Sequence, residues 1–376
     1  MLSEYKSGYN HAQKLWKEVE PLYKLLHEFV RIRIQNYYKI SYNYTSIPVY
    51  LLGSNFGEDW SNIANIVLAN LKLYEEIREA LKGQRKCSAS PKLQQGNWKL
   101  GLGALGKQFW KKSNFSQSNC KLHLFSNCAE KYTEILTCDK VDLTLFMDIH
   151  ESAIDIVLRN QDYSSLARRE LRFSAVDEAL RGLGSIIALD SLSEYGFMSE
   201  ESWTNYHDQN DRKNMELIIH ALRVLPKLPY YLLSDVTRLD HLESRQEIFT
   251  EAWWRNRMKL QGVQGISNEE VDYLGDPFIT LNKPRLSEYL GIFLQFQLLD
   301  YYKKYYYFEN GNIATFIKND ENFRKFVQDR PNKDWVRLLE FHYAITEISS
   351  ESLLNYFKPL QRYLKEVLLE PIPTTH

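Results

Sequence analysis

Residues 9–38, "YNHAQKLWKEVEPLYKLLHEFVRIRIQNYY", set Leu15, Val19, Leu22, Leu26, Phe29 and Val30 three and four residues apart. That spacing lines one face of an α-helix, so the stretch predicts an amphipathic helix or helix pair whose apolar side needs a core. The same period recurs in "WSNIANIVLANLKLYEEIREALKG" (60–83), "NMELIIHALRVLPKLPYYLLSDVTRL" (214–239), "RLSEYLGIFLQFQLLDYYKKYYYF" (285–308) and "SLLNYFKPLQRYLKEVLL" (352–369). Only "KLHLF" (121–125) and parts of "YTEILTCDKVDL" (132–143) look extended. The fold class read from these patterns is mainly α, with one small sheet near the cysteines.

Composition narrows the function classes. At 44% hydrophobic and 25% charged, the 376-residue chain has the balance of a soluble globular protein with a large core, which argues against disorder or a fibre. Its 47 basic and 48 acidic residues cancel, so no general field draws it to nucleic acid or an anionic membrane. For that reason "YYKKYYYF" (301–308) reads as helix packing, not as a stacking platform for bases. No apolar run is long enough to span a bilayer, and the opening "MLSEYKSGYNHAQKLW" is too polar for a signal peptide. With no linker, low-complexity run or repeat to divide it, the chain is expected to form one domain over 1–376.

Cys87, Cys120, Cys128 and Cys138 lack C-x-x-C spacing, which disfavours a structural zinc knuckle and leaves a disulfide or buried thiols open. Asn43-Tyr44-Thr45 and Asn114-Phe115-Ser116 are glycosylation sequons, consistent with a secretory route. "DIHESAID" (148–155) starts as a zinc-peptidase helix starts, with His150 and Glu151, but Ile154 stands where H-E-x-x-H needs its second imidazole. Two letters alone mean little.

The rest of the chain adds weight. "EPLYKLLHEFVR" (20–31), "IPVYLLGSNFGEDWSNI" (47–63), "FWKKS" (109–113), "EAWWRNRMKLQG" (251–262), "FLQFQ" (293–297) and "YFKPLQRYL" (356–364) follow in an order that resembles the angiotensin-converting enzyme family, zinc peptidyl-dipeptidases. The match runs nearly end to end, is poor over 64–108, and lacks the family's N-terminal lid helices and signal peptide. It implies a truncated family member: a large helical ellipsoid with a deep central channel and the zinc helix at its floor.

The resemblance also implies site residues. It places His150 on the first zinc ligand, Glu151 on the catalytic base, Ile154 on the second histidine, and Glu178 of "VDEALRG" on the third ligand, 28 residues after His150. Isoleucine cannot bind zinc, Asp155 points about 100° away around the helix, and Gly182 replaces a carboxylate that would orient a ligand histidine. In "DPFITLNKPRLSE" the family's substrate lysine becomes Asp276, its histidine Phe278, its carboxylate-binding tyrosine Arg285, a chloride-binding arginine Ser287 and its oxyanion tyrosine Glu288. Trp253 and Arg257 fall on chloride-holding positions, with packing and a carboxylate partner for Arg257 as the competing reading. Cys120 and Cys138 match a family disulfide.

These substitutions imply a catalytically inactive, secreted relative that acts by binding a peptide in the channel or a protein at its surface. No cofactor is expected, with zinc and chloride belonging to the family pattern. The alternatives are a residual zinc peptidyl-dipeptidase and a truncated product without independent function.

Overall fold

A computed structural model of the chain describes residues 2–40, 45–53, 57–69, 72–83, 109–112, 123–127, 132–137, 143–160, 175–191, 206–244, 248–267, 270–306, 321–329 and 335–369. Asn43, Asn114 and all four cysteines, including the Cys120/Cys138 pair, lie outside the described residues, as does the side chain of Asp155.

The protein is mainly α. Its helices are α1 (Leu2–Tyr38), α2 (Ala64–Val67), α3 (Lys72–Gly83), α4 (Leu143–Asn160), α5 (Ala175–Ser191), α6 (Tyr206–Val224) and α7 (Lys227–Ser244). They continue with α8 (Phe249–Asn256), α9 (Pro277–Thr280), α10 (Leu286–Tyr306), α11 (Glu321–Asp329), α12 (Trp335–Tyr343) and α13 (Glu351–Leu369). Among the described residues no helix is long and apolar enough to cross a membrane. The chain packs as two units, each discontinuous: the first comprises Met1–Leu71, Asn210–Leu290 and Ser349–His376, the second Lys72–Gln209 and Gly291–Ile348.

In the first unit α1 is one helix, and the stripe Leu15, Val19, Leu22, Leu26, Phe29 and Val30 is buried along its length. Pro21 sits inside it without ending it. The removed N–H is outweighed by the apolar face on both sides of the proline. The helical pattern of 214–239, by contrast, breaks in two at Leu225-Pro226, because Pro226 can neither donate a helix hydrogen bond nor clear the preceding turn; it suits the entry to α7 instead.

α8 runs into a π-turn over Arg257–Gln261, ended by Gly262 at φ 67°. A Cβ at Gly262 would lie 2.4 Å from His27 Nε2, so only glycine allows the approach. Strand β1 (Ile47–Pro48) pairs in parallel with β5 (Val263–Gln264) directly after this turn.

The second unit holds a three-stranded sheet, β2 (Phe109–Lys112), β3 (His123–Asn127) and β4 (Tyr132–Thr137), in the order β2-β4-β3. β3 and β4 occupy the two stretches read as extended and pair antiparallel, His123 opposite Leu136. β2, a strand that periodicity did not signal, joins β4 in parallel, Phe109 opposite Glu134. α4 and α5 pack against each other in this unit at backbone distance. A Cβ on Gly184 of α5 would lie 2.6 Å from Glu151 N and 2.7 Å from His150 C of α4.

Candidate functional site

α4 carries His150, Glu151 and Ile154, and α5 carries Glu178. α4 buries Phe146, Ile149, His150 and Ile154 together, so the face that presents His150 is a packing face. His150 is 1% exposed, and its Nδ1–H donates to the Phe146 carbonyl one turn back at 2.9 Å. Its ring also packs against that of Phe146, tilted by 59° with 4.6 Å between centroids. Burial pushes its pKa down to about 4, with the Phe146 carbonyl opposing.

Glu151 accepts a hydrogen bond from the hydroxyl of Ser185, which Gly184 brings within reach. Ile154, where the resemblance implies the second imidazole, is buried. Glu178 pairs with Arg181 on its own helix. Its Cβ lies 2.5 Å from where a side chain on Gly291 of α10 would begin.

Gly182, where the resemblance implies an orienting carboxylate, leaves a gap, and Gln295 of α10 fills it. Its amide oxygen lies 1.7 Å from where a Gly182 Cβ would be. Gln295 is 3% exposed, and its amide nitrogen has no hydrogen-bond partner among the described residues.

The donor set does not fit zinc. Of the three ligand positions the resemblance implies, His150 and Glu178 carry donor atoms and Ile154 carries none, and beside Gly182 the space holds a neutral amide. Among the described residues no group of three or more His, Cys, Asp and Glu is placed to share an ion.

The positions implied for substrate binding lie in the first unit, and they bond to one another. Asp276 is fully buried and caps α9, accepting from Phe278 N at 2.9 Å. It also accepts from the Tyr230 hydroxyl at 2.8 Å, and Arg285 Nη2 reaches both of its oxygens at 2.7 Å. The Arg285 guanidinium lies 3.9 Å from the Phe278 ring centroid and 4.8 Å from that of Tyr231, while Glu288 is 3.6 Å from Nη1. Arg285 N donates to Asp235 at 2.8 Å. Ser287 lies half-buried in the first turn of α10. Where the resemblance implies lysine and tyrosine donors, this chain has a carboxylate and an arginine that satisfy each other, so the cluster is built as a staple between α7 and the 276–285 segment.

Trp253 and Arg257 also come together, on Asp272. The indole N–H donates to Oδ1 at 2.8 Å and the guanidinium bonds Oδ2. Arg257 is fully buried, with rings of Tyr230, Trp253 and Trp254 around it. Burial raises the Asp272 pKa, Arg257 and the indole N–H oppose this, and Glu270 adds to it.

Asp272, Ser185, Gln295 and Tyr230 were not singled out by sequence. For Ser185 and Gln295 the signal was the small pair Gly182 and Gly184, spaced to let helices approach. For Asp272, one of four acids between Glu269 and Asp276, sequence offered no signal that set it apart.

The buried His150 supplies a pH prediction. An imidazole whose folded pKa lies near 4, against about 6.5 unfolded, binds protons more readily in the unfolded chain. Its contribution is therefore complete above pH 6.5 and lost as pH falls toward 4, by about 3 kcal/mol for a gap of this size. His27, whose pKa burial also lowers, acts in the same direction. Urea unfolding at pH 7 and pH 5 is expected to show wild type losing about 2 kcal/mol more than His150→Asn. Equal losses would mean that His150 is not held neutral by burial.

Comparison with known proteins agrees with the motif order. The family profile described as angiotensin-converting enzyme, a peptidase family, matches residues 4–370. Angiotensin-converting enzyme of Theromyzon tessulatum is 25% identical over 370 residues, covering 93% of this chain and 59% of the relative. Angiotensin-converting enzyme-like protein Ace3 of Mus musculus is 26% identical over 378 residues, covering 94% and 50%. Angiotensin-converting enzyme-related protein of Drosophila melanogaster is 23% identical over 384 residues, covering 93% and 59%. The chain thus spans about half to three-fifths of the length of these relatives. With the family profile covering nearly every residue, this chain belongs to the angiotensin-converting enzyme family.

Proposed function

We propose that this chain is a pseudo-peptidase, an extracellular family member without catalytic activity that acts by binding a peptide or a protein partner. The observation that carries the proposal is Ile154, buried on α4 where a second imidazole would complete the zinc site. Hydrolysis of a peptide by zinc needs three protein ligands, a water and a base, and isoleucine supplies no lone pair.

The other functional positions support the same reading. Glu151 is engaged by Ser185, Glu178 by Arg181, and Asp276 by Arg285. At the oxyanion position, Glu288 would repel a developing negative charge rather than stabilise it. Extracellular placement rests on the family resemblance and on the sequons at Asn43 and Asn114.

Protein purified from a secretory host and dialysed against trace zinc is expected to hold far less than one zinc per chain by elemental analysis. It is also expected to release no C-terminal dipeptide from a model peptide. One zinc per chain with measurable hydrolysis would sink the proposal and establish the residual peptidase in its place.

A further inference from the structure

Three features of the first unit together have the chemistry of a receptor for a small anion. Two buried donors converge: Trp253 Nε1–H, 2.8 Å from Asp272 Oδ1, and an Arg257 guanidinium N–H on Asp272 Oδ2. The guanidinium is held in place, with Nε donating to Gln261 Oε1 at 3.1 Å and the rings of Tyr230, Trp253 and Trp254 at 5.5, 5.6 and 5.2 Å. The protein also closes over it. Gly57, at φ 65°, brings its backbone so near that a Cβ there would lie 2.8 Å from Arg257 Nη2. A cation oriented by aromatic walls beside an indole N–H is a preformed site for one negative charge.

The chain supplies that charge itself, from the turn Asp272–Gly275. We infer that Asp272 is the resident anion of this receptor, that the protein consequently takes no chloride there, and that removing the carboxylate opens a site for a small halide. The family resemblance implied chloride held by Trp253 and Arg257. These residues do not fit an added anion, because both already share one and a second would face its charge. Glu270, whose charge also acts on Asp272, adds to the repulsion. The inference does not depend on whether the protein is a peptidase.

The test compares thermal unfolding in sodium chloride and in sodium isethionate at equal ionic strength and pH 7.5, with chloride as the probe. Wild type is expected to melt within about 1 °C in the two salts, because specific stabilisation requires binding. Asp272→Ala is expected to melt about 5 °C or more below wild type in isethionate, and to recover at least half of that loss, saturably, as chloride is added. Asp272→Ser, with less volume removed, is expected to respond in the same direction. A wild-type protein stabilised selectively by chloride overturns the inference. So does a failure of chloride to stabilise either variant.

Discussion

Asp276→Ala is expected to lower the unfolding free energy by about 3–5 kcal/mol, the range for breaking a buried ion pair from one side. The carboxylate is fully buried and receives a backbone N–H, a tyrosine hydroxyl and two contacts from Arg285. Deleting it leaves a guanidinium whose side chain is 9% exposed, pressed against Phe278, with Glu288 at 3.6 Å the one other carboxylate paired with it among the described residues. A buried cation without its partner is far worse than no ion at all.

The expectation therefore has two sides. Asp276→Leu combined with Arg285→Met, which removes both charges and keeps apolar volume, is expected to recover most of the loss, to within about 2 kcal/mol of wild type. Urea titration of the two single variants and the double variant measures the coupling directly. A single-variant loss under about 1 kcal/mol would mean that the pair is not the staple of the 276–285 segment.

Gly184→Ala is expected to be the other severe substitution, at about 3 kcal/mol or more, the upper range for overpacking. Its new methyl would fall 2.6 Å from Glu151 N and 2.7 Å from Glu151 Cα and His150 C, all backbone atoms of α4. Backbone cannot rotate aside as a side chain can. The two helices must separate, and the Ser185 to Glu151 hydrogen bond is lost with the contact.

Gly182→Ala is the internal control. The nearest atoms to its methyl all belong to the Gln295 side chain, whose amide end is the part that must shift, and the substitution is expected to cost about 1 kcal/mol. Melting temperatures together with hydrogen exchange in α4 distinguish the two. If Gly182→Ala proves the more damaging, the close approach is at α10 and not at α4.

Helices were readable in advance because burial repeats along them. Leu15 through Val30 lie on one face by arithmetic, whatever that face packs against. The same arithmetic did not reveal the break at Pro226, since the apolar period continues across it and only the missing N–H stops the helix. Nor could it mark the two units. Each is assembled from segments far apart in the chain, so no linker composition separates them.

At the candidate site, His150, Ile154 and Glu178 were grouped by the family resemblance, whose pattern along the chain relates positions four and 28 residues apart. Gln295 and Gly182 could not be. One side chain fills a gap left by the absence of another, and their helices are joined by contact, not by period.

The order of motifs along the chain was enough to establish the family and the helical class. Each depends only on which residue stands at which position. Tertiary structure alone decided what became of the remaining charges. Asp276 might have faced water, but it is buried beneath Arg285, and Asp272 lies between Trp253 and Arg257. The physical reason is that a charge inside a protein must meet an opposite charge and its hydrogen bonds in three dimensions, and the partner that answers it is chosen by packing.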